Sequence, residues 1–416
     1  MTGGEGALLV LFYLAYVVNI WTSSSIEIAL PLVADDSSVT VGMAELSQGL
    51  ALGQVATVVG KLATGPLVGW RGAGRAFPEA LCAMGIAFFL GVLALRSHAP
   101  LAALACFTAL KATKAAVWTS MALATKLNFR PQLLAKAWGI LSTSSRVGAL
   151  AGSWVLGPIA TTFGWPGPVL AVAGSLQALA ALLWLQAPAR PEPNGGAASA
   201  AEAKGGGGFS EALGVLRRDK QLWLLFATMG LLLPVMDSSA LLPLFLSQQL
   251  EISVASAAQL ASAFPAGMVA STIGATLFFD SMHSKTKAIF LLLATATGAV
   301  SFAALGAVQS TWAAGLLLFL GGAGVAPAQY LVPSIYIMQN VDERNAGTVM
   351  SMMDMPGYML SACVFKLYPN VVATGGWGMF FVVLGGMIGV ATVCVCTQVV
   401  LEGRAPQAKT AKVKMS

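Results

Sequence analysis

Twelve long apolar runs dominate this chain, and each is long enough to cross a lipid bilayer as a single helix. A hydrocarbon core about 30 Å thick needs about 20 helical residues, because a helix rises about 1.5 Å per residue. The runs, numbered here as spans 1 to 12, lie at 7–33, 43–69, 78–95, 100–124, 137–160, 166–186, 221–248, 254–279, 288–308, 311–338, 346–372 and 377–400. The pattern predicts an all-α membrane protein with twelve transmembrane helices.

The composition agrees with this class and excludes a soluble one. Hydrophobic residues make up 57% of the 416 residues and charged residues 10%, whereas soluble domains contain about 45–50% and about 25%. The net charge of +6 is spread between the apolar runs. It forms no basic face with interleaved aromatic residues, so we expect no nucleic-acid partner. The lipid bilayer is the expected environment, and we expect a monomer.

The connection at 187–220 differs from the other connections, since it is long and rich in Pro, Ala and Gly. Such a composition is typical of a flexible linker. This interpretation divides the chain into a first bundle at 1–186, the linker at 187–220, a second bundle at 221–400 and a basic cytoplasmic tail at 401–416.

An internal repeat supports the division into halves. With an offset of 212 residues, the Leu-Pro-Leu triplet at 30–32 falls on 242–244, and the Gly-Trp pair at 164–165 falls on 376–377. A parallel repeat of this kind predicts two pseudo-symmetric six-helix bundles. A small-molecule site is then expected between them, near the bilayer midplane.

Lysine and arginine in the connections fall almost entirely on one side of the predicted membrane. Arg96 is the one basic residue in the connections of the other side. Because cytoplasmic loops are enriched in Lys and Arg, we expect both termini in the cytoplasm. A plasma-membrane location is expected, with an organelle membrane as the alternative.

The end of span 2 and the connection after it contain a family motif. Gly-Lys-Leu-Ala-Thr-Gly-Pro-Leu at 60–67 is followed by Arg-Gly-Ala-Gly-Arg at 71–75. Together with the triplet at 30–32, this segment resembles the signature that joins the second and third spans in the major facilitator superfamily. The resemblance implies a secondary transporter that works by alternating access.

The motif departs from the family pattern at two positions. Gly69 and Trp70 stand where the signature normally has an acidic and then a basic residue. The corresponding place in the second half keeps an acid, Asp280, followed by lysines. The resemblance therefore implies that Arg71, Arg75 and Asp280 contribute to gating.

Within this superfamily, the chain resembles the organophosphate:phosphate antiporter branch. Lys61, Trp118, the run at 138–148 and the Gly-Trp pair at 164–165 carry this second resemblance. Arg146 stands near the place where the branch has His or Asn, and the basic residue that the branch has in span 1 is missing. The branch's substrate is therefore not carried over to this chain.

Charged residues inside the predicted spans carry the functional hypothesis. On insertion scales each costs about 2.5–3.5 kcal/mol at a helix centre, so it persists only where it is paired, solvated or used. The cations are Lys61, Lys111, Lys114, Arg146 and Lys366, and the anions are Glu27, Asp237 and Asp354. Counted within the first half, four cations face one acid, and this excess of positive charge favours an anionic substrate.

Charge and helical spacing assign a candidate role to each residue. The candidates for anion binding are Lys61, Lys111, Lys114 and Arg146. The candidates for the wall of the pocket are Trp118, its repeat equivalent Tyr330, and Tyr358, the repeat equivalent of Arg146. The candidates for proton coupling are Glu27, Asp237 and Asp354. Each has a structural alternative, in which it pairs with a neighbouring charge, hydrogen-bonds locally or packs.

Other chemistries have little support. The two histidines, His98 and His283, lie near loops and far apart, so neither a metal cluster nor a histidine-based catalytic dyad is indicated. Gly60 and Lys61 resemble part of a phosphate loop, but Leu62 stands where that loop requires Ser or Thr. We therefore expect no enzyme, no metal and no cofactor.

The sequence favours a secondary active transporter of a small organic anion, phosphorylated or carboxylated, that works by alternating access. Proton symport and anion exchange both fit, so protons or a counter-anion are expected as further partners. There are two alternatives. One is proton-coupled efflux of amphiphilic or cationic compounds, which would use the three acids directly. The other is a non-transporting receptor or scaffold with a transporter fold.

Overall fold

The computed structural model of the chain describes residues 3–36, 43–71, 73–186, 209–341 and 343–404. Within these ranges the secondary structure is helical and contains no strand. The predicted linker and tail lie largely outside these ranges.

The first half contains six long helices in succession, which form spans 1 to 6. They are Gly3–Asp35, Met43–Arg71, Ala73–Arg96, Pro100–Asn128, Pro131–Phe163 and Pro166–Gln186. The connections between them are short, so consecutive helices run in opposite directions. Proline stands at the first turn of spans 4, 5 and 6, where its missing N–H has no helical partner in any case.

The second half repeats this order with more interruptions. Its helices are Lys220–Asp237 and Leu242–Leu250 in span 7, Val254–Ala261 and Ala263–Phe278 in span 8, Ser284–Leu305 in span 9, Thr311–Ala326 and Val332–Asn340 in span 10, and Glu343–Arg404 in spans 11 and 12. The main interruptions are a 3-10 turn at Ser238–Leu241, a π-helical turn at Pro327–Leu331 and a break at Gly376.

Each of the twelve predicted runs coincides with helix. By length and composition, nine stretches of the described residues are able to cross a membrane, and the last of them, Thr348–Gly403, contains both spans 11 and 12. Many helices extend beyond the predicted runs. Span 3, for example, begins at Ala73 rather than at 78, because the polar end of a helix continues past the hydrocarbon core.

The repeat is visible in the structure as an indole clamp in each half. The glycines of the two Gly-Trp pairs both have a φ of 67°, a left-handed conformation that favours glycine. Trp165 then donates from Nε1 to Asp36 Oδ2 at 3.0 Å. Its equivalent, Trp377, donates from Nε1 to Gln248 Oε1 at 3.1 Å. Each clamp therefore ties the loop before the last helix of a bundle to the end of its first helix.

Each bundle has its own hydrophobic core. Leu81, Met84 and Leu176 are fully buried in the first. In the second, the rings of Phe245 and Phe381 meet edge to face with 4.6 Å between their centroids. Such contacts stabilise each bundle as a separate packed unit.

Two contacts between the bundles lie toward the face opposite the termini. Ser47, near the start of span 2, donates a hydrogen bond to the carbonyl oxygen of Phe365 in span 11. In the outer part of span 5, Trp154 donates from Nε1 to Ser262 Oγ of span 8 at 3.2 Å. These two contacts join the bundles at the ends of spans 2, 5, 8 and 11 that lie away from the termini.

A short helix, Phe209–Arg218, precedes span 7 and lies within the predicted linker. Its Ala212 and Leu216 are fully buried. Directly after this helix, Asp219 accepts a hydrogen bond of 2.6 Å from the hydroxyl of Tyr336 in span 10. This part of the connection is therefore packed against the second bundle.

Candidate functional site

Most of the charged residues expected inside the membrane interact with one another between the two bundles. They come from spans 1, 2, 4, 7 and 11, and are Glu27, Lys61, Lys111, Lys114, Asp237 and Asp354. Arg146 of span 5 also lies between the bundles, where it contacts Tyr330. Lys366 is the exception and is exposed on span 11.

Lys61 and Asp354 form an ion pair between the bundles. The Lys61 ammonium of span 2 donates to Asp354 Oδ2 of span 11. The same ammonium lies 5.1 Å from the ring centroid of Tyr358, one helical turn further along span 11. The side chains of Lys61 and Asp354 are 16% and 24% exposed, so both are accessible from the space between the bundles.

A close contact between spans 2 and 4 places Lys61 beside the lysines of span 4. At Gly60, an added Cβ would lie 2.1 Å from the carbonyl oxygen of Ala112. Only glycine allows the two backbones to approach this closely, as in other membrane helix pairs built on small residues. Lys61 directly follows this contact, and Lys111 directly precedes Ala112.

Lys111 and Lys114 interact electrostatically with one acid from each bundle. Both lysines are within range of Glu27 in span 1 and Asp237 in span 7. In addition, Lys114 donates from Nζ to Ser23 Oγ of span 1 at 2.5 Å. Two cations and two acids therefore compensate one another in this part of the interface.

Asp237 ends the first helix of span 7, directly before the 3-10 turn. Its Oδ2 is buried, and the hydroxyl of Ser361 in span 11 interacts with this carboxylate. The hydroxyl of Ser238 instead donates to the carbonyl oxygen of Val235 at 2.6 Å. The local bond between Asp237 and Ser238 that the sequence allowed is therefore absent from this part of the structure.

Arg146 makes a second contact between the bundles within this site. Its guanidinium carbon lies 4.5 Å from the ring centroid of Tyr330 in span 10, within the range of a cation–π interaction. Its Nε is buried and has no hydrogen-bond partner among the described residues. Arg146 differs from the three lysines, because Tyr330 is the titratable group with which it interacts in the described part of the chain.

Span 5 is held against span 1 next to Arg146. Trp21 Nε1 donates to the carbonyl oxygen of Gly148 at 3.0 Å. A Cβ added at Gly148 would lie 3.0 Å from the carbonyl oxygen of Val17. This packing fixes the helix that carries the guanidinium, so that Arg146 is presented to span 10.

Tyr330 lies within the π-helical turn Pro327–Leu331. A π-helical turn is a rare widening of an α-helix and is frequent at functional sites. The turn displaces Tyr330 from a regular helical position and presents its ring to Arg146. Its neighbour Gln329 is buried, and the Oε1 of that amide has no hydrogen-bond partner among the described residues.

Aromatic side chains surround the charged residues. Tyr330 and Trp118 are each 38% exposed, although each contacts another side chain of this site. The ring of Trp118 meets that of Tyr16 at a centroid distance of 5.0 Å. Tyr16 also interacts electrostatically with Asp354 of the second bundle. Sequence reasoning missed Tyr16, because a neutral residue in an apolar run carries no distinguishing signal.

The arrangement has the properties of a binding site rather than of a catalytic one. It combines cations, acids and aromatic rings from both bundles at the depth of the membrane. Among the described residues, no group of three or more His, Cys, Asp or Glu side chains is placed to hold a metal ion. Such a site suits a small polar molecule held between two bundles that are able to move relative to each other.

The family model of the Major Facilitator Superfamily matches residues 12–365, from span 1 into span 11. The chain belongs to this superfamily. The predicted twelve-helix fold and the family are therefore confirmed, and the protein is a multi-pass membrane transporter rather than an enzyme.

Solved structures of other major facilitator proteins share this fold. The nucleoside transporter NupG (D323A mutant) has a TM-score of 0.70 at 14% identity, with 94% of this chain and 99% of that chain covered. A D-xylose-proton symporter has a TM-score of 0.70 at 13% identity, covering 93% and 96%.

A bacterial homologue of the human lysosomal transporter Spinster, inward-facing and unoccupied, has a TM-score of 0.69 at 16% identity, covering 98% of this chain and 100% of that chain. At such identities the likeness shows the fold alone. No curated protein sequence matches the chain.

The charge excess counted within the first half of this major facilitator protein is largely compensated by the second half. Asp354 pairs with Lys61, and Asp237 interacts with Lys111 and Lys114. The sequence count missed this compensation because it treated each half separately. The positive charge that remains without a nearby acid among the described residues is that of Arg146.

The residues expected to gate this major facilitator protein are only partly described. Arg75 is exposed in the first turn of span 3. The side chains of Arg71 and Asp280 lie outside the described residues. Their gating role stays a prediction.

Proposed function

We propose that this protein is a secondary active transporter of a small organic anion that carries a carboxylate or phosphate group. Arg146, Lys114 and Lys61 bind the anionic group, and the aromatic rings of Tyr16, Trp118, Tyr330 and Tyr358 contact the rest of the molecule. The observation that carries the proposal is the half-buried guanidinium of Arg146, which lies over a ring of the opposite bundle and, among the described residues, interacts with no acid.

The charge of Arg146 favours an anion. An uncompensated cation at membrane depth costs several kcal/mol, and a bound anion removes most of that cost. A guanidinium also offers two parallel N–H donors that match a carboxylate or phosphate. The four cations and three acids of the site leave one net positive charge, which favours a ligand with a single excess negative charge.

The contacts between the bundles support alternating access. Ser47 and Trp154 join the bundles on the face opposite the termini, and Trp118 and Tyr330 are exposed between them. We infer that the structure represents a state open toward the face of the termini. We propose that this face is cytoplasmic, because the basic residues of the connections lie there, and that the protein is a monomer in the plasma membrane.

A second candidate function is the efflux of amphiphilic or cationic compounds. The buried Oδ2 of Asp237 favours it, because a carboxylate beside aromatic rings attracts an organic cation. Glu27 and Asp354 would then carry the coupling protons. The guanidinium of Arg146, which interacts with no acid among the described residues, favours the anion instead.

Uptake into proteoliposomes tests the proposal. The purified protein is assayed with radiolabelled lactate, succinate, glycerol 3-phosphate and inorganic phosphate, with and without a pH gradient. We expect saturable uptake of at least one of these anions. Uptake of none of them, together with competition by tetraphenylphosphonium for a bound fluorescent cation, would instead support efflux of cations. Anion binding without flux would support a receptor.

Variants inside and outside the site, compared in the same uptake assay, test which residues bind the anion. Arg146→Ala and Lys114→Ala are each expected to abolish the uptake. Arg96→Ala and Lys366→Ala remove exposed basic residues outside the site and are expected to leave it unchanged. Unchanged uptake in the double variant Arg146→Ala and Lys114→Ala would contradict the assigned binding roles.

A further inference from the structure

The two most exposed aromatic residues of the site occupy equivalent positions in the two halves. Trp118 of span 4 and Tyr330 of span 10 are related by the offset of 212 residues, and each is 38% exposed. We propose that they form the two walls of a slot for a flat ring, and that the substrate is a planar aromatic monocarboxylate. This inference rests on the proposed function and names the class of anion that the site prefers.

The repeat explains why each bundle supplies one wall. Parallel halves of this kind are related by an axis along the membrane normal, and the binding site lies where the halves meet. Equivalent residues lie on opposite sides of that axis at the same depth. Trp118 and Tyr330 therefore border the same space from the two bundles, and a flat ring between them contacts both bundles at once.

Two more rings extend the slot. Tyr16 meets Trp118 edge to face, with 5.0 Å between the ring centroids, and it interacts electrostatically with Tyr330. Tyr358 interacts in the same way with both Tyr16 and Tyr330. Aromatic rings in offset-stacked or edge-to-face contact bind one another more tightly than their buried area alone predicts. Rings from four different spans therefore favour an aromatic ligand over a saturated one of the same size.

Arg146 places the carboxylate at one end of the slot. Its guanidinium carbon lies 4.5 Å from the ring centroid of Tyr330, so an anion bound to this guanidinium lies beside one wall. A guanidinium and a carboxylate form a planar, bidentate pair. An acid whose ring is attached directly to the carboxylate is flat as a whole, so its ring continues from the guanidinium into the slot.

The charge of the site favours a carboxylate over a phosphate ester. Its four cations and three acids leave one net positive charge. A carboxylate carries a single negative charge at neutral pH, whereas a phosphate ester carries about −1.5 to −2. A monocarboxylate therefore neutralises the site, and a phosphate ester leaves it with excess negative charge.

Calorimetric titration of the purified, full-length protein tests the preference for a flat ring. Benzoate and cyclohexanecarboxylate both carry one carboxylate on a ring with the same number of carbon atoms, but only the ring of benzoate is flat and aromatic. Cyclohexanecarboxylate has the larger apolar surface, so burial of area alone would favour it. We expect benzoate to bind about 5- to 150-fold more tightly, which is the ratio that two aromatic contacts produce.

A second ligand pair tests the charge. Benzylammonium carries the same aromatic ring as benzoate with a positive group in place of the carboxylate. We expect it to bind about tenfold or more weakly than benzoate, because its ammonium would lie beside the guanidinium of Arg146.

Variants of the two walls locate the slot. Trp118→Leu and Tyr330→Leu each keep an apolar side chain without a ring, and each is expected to lower the preference for benzoate over cyclohexanecarboxylate about 2- to 12-fold. Trp312→Leu is the matched control, since this indole is 76% exposed and lies outside the site, and it is expected to keep the preference. Both ligands are titrated into the same variant, so a general loss of binding-competent protein cancels in the ratio.

The outcomes separate this inference from the proposed function. Cyclohexanecarboxylate that binds the wild type as tightly as benzoate would overturn the inference alone, and this result needs no variant. A preference for benzoate that is kept in both Trp118→Leu and Tyr330→Leu would also overturn it, as would binding of lactate, succinate, glycerol 3-phosphate or inorganic phosphate without binding of benzoate. Binding of none of these anions would overturn the proposed function as well, and binding of benzylammonium alone would support efflux of cations.

Discussion

The guanidinium of Arg146 lies over the ring of Tyr330 at 4.5 Å, and the two residues come from opposite bundles. Two structural irregularities bring them together. Gly148 allows span 5 to pack closely on span 1 beside Arg146, and the π-helical turn in span 10 presents Tyr330. The contact joins the two bundles, and we expect a substrate that binds Arg146 to touch this ring as well.

Substitutions at Tyr330 separate the roles of its ring and its hydroxyl. Tyr330→Phe keeps the ring over Arg146 and is expected to change the KM for the transported anion less than threefold. Tyr330→Ala removes the cation–π contact, which is worth about 0.5–2 kcal/mol, and is expected to raise the KM about 2- to 30-fold. Proteoliposome uptake measures both. Equal effects of the two variants would show that the hydroxyl, and not the ring, is the group that matters.

The contact at Gly60 predicts a strong packing effect. The Cβ of Gly60→Ala would lie 2.1 Å from the carbonyl oxygen of Ala112, so spans 2 and 4 must separate. We expect a loss of about 1–3 kcal/mol of stability and a displaced Lys61, seen as a lower melting temperature and reduced anion uptake. Gly174→Ala in span 6 is the control, since nothing lies within 4 Å of its added Cβ. An unchanged melting temperature in Gly60→Ala would contradict the close approach.

Replacing the tryptophan of either indole clamp is expected to lower the stability of the protein by the same amount, independently of the other clamp. Trp165→Phe and Trp377→Phe each remove one hydrogen bond, worth about 1 kcal/mol. Their effects are expected to add, because the clamps belong to different bundles. Thermal unfolding in detergent, followed by size-exclusion chromatography, measures the changes. Trp312→Phe replaces an indole that is 76% exposed and is expected to have no effect. A loss confined to one clamp would show that the repeat is not energetically equivalent in the two halves.

The spans were predictable because the thickness of the membrane sets the length of an apolar run. The ends of the helices were not predictable. The turns that begin at Ala73 and follow Val33 lie outside the hydrocarbon core, so the thickness of the membrane does not set their length. The breaks in spans 7 and 10 were also missed. The 3-10 and π-helical turns depend on packing between helices, and the apolar pattern runs through them without change.

The site was predictable in its charged members and not in its pairings. An ionised residue inside a membrane requires a partner, so a shared site for residues such as Glu27, Lys111 and Asp237 follows from general energetics. The pairing of Lys61 with Asp354 does not, because it depends on the register of span 2 against span 11. Tyr16 was missed because a neutral tyrosine in an apolar helix gives no sequence signal of a functional role.

The repeat has a consequence for the orientation of a bound molecule. Positions 146 and 358 are equivalent by the offset of 212 residues that also relates the two indole clamps. In an assembly of two identical six-helix units, both positions would hold the same residue, and a ligand would bind equally well after a half turn. Because the units share one chain, one position is Arg146 and the other Tyr358. A molecule bound between them would therefore have its head and tail distinguished, and we expect it to travel in a single orientation.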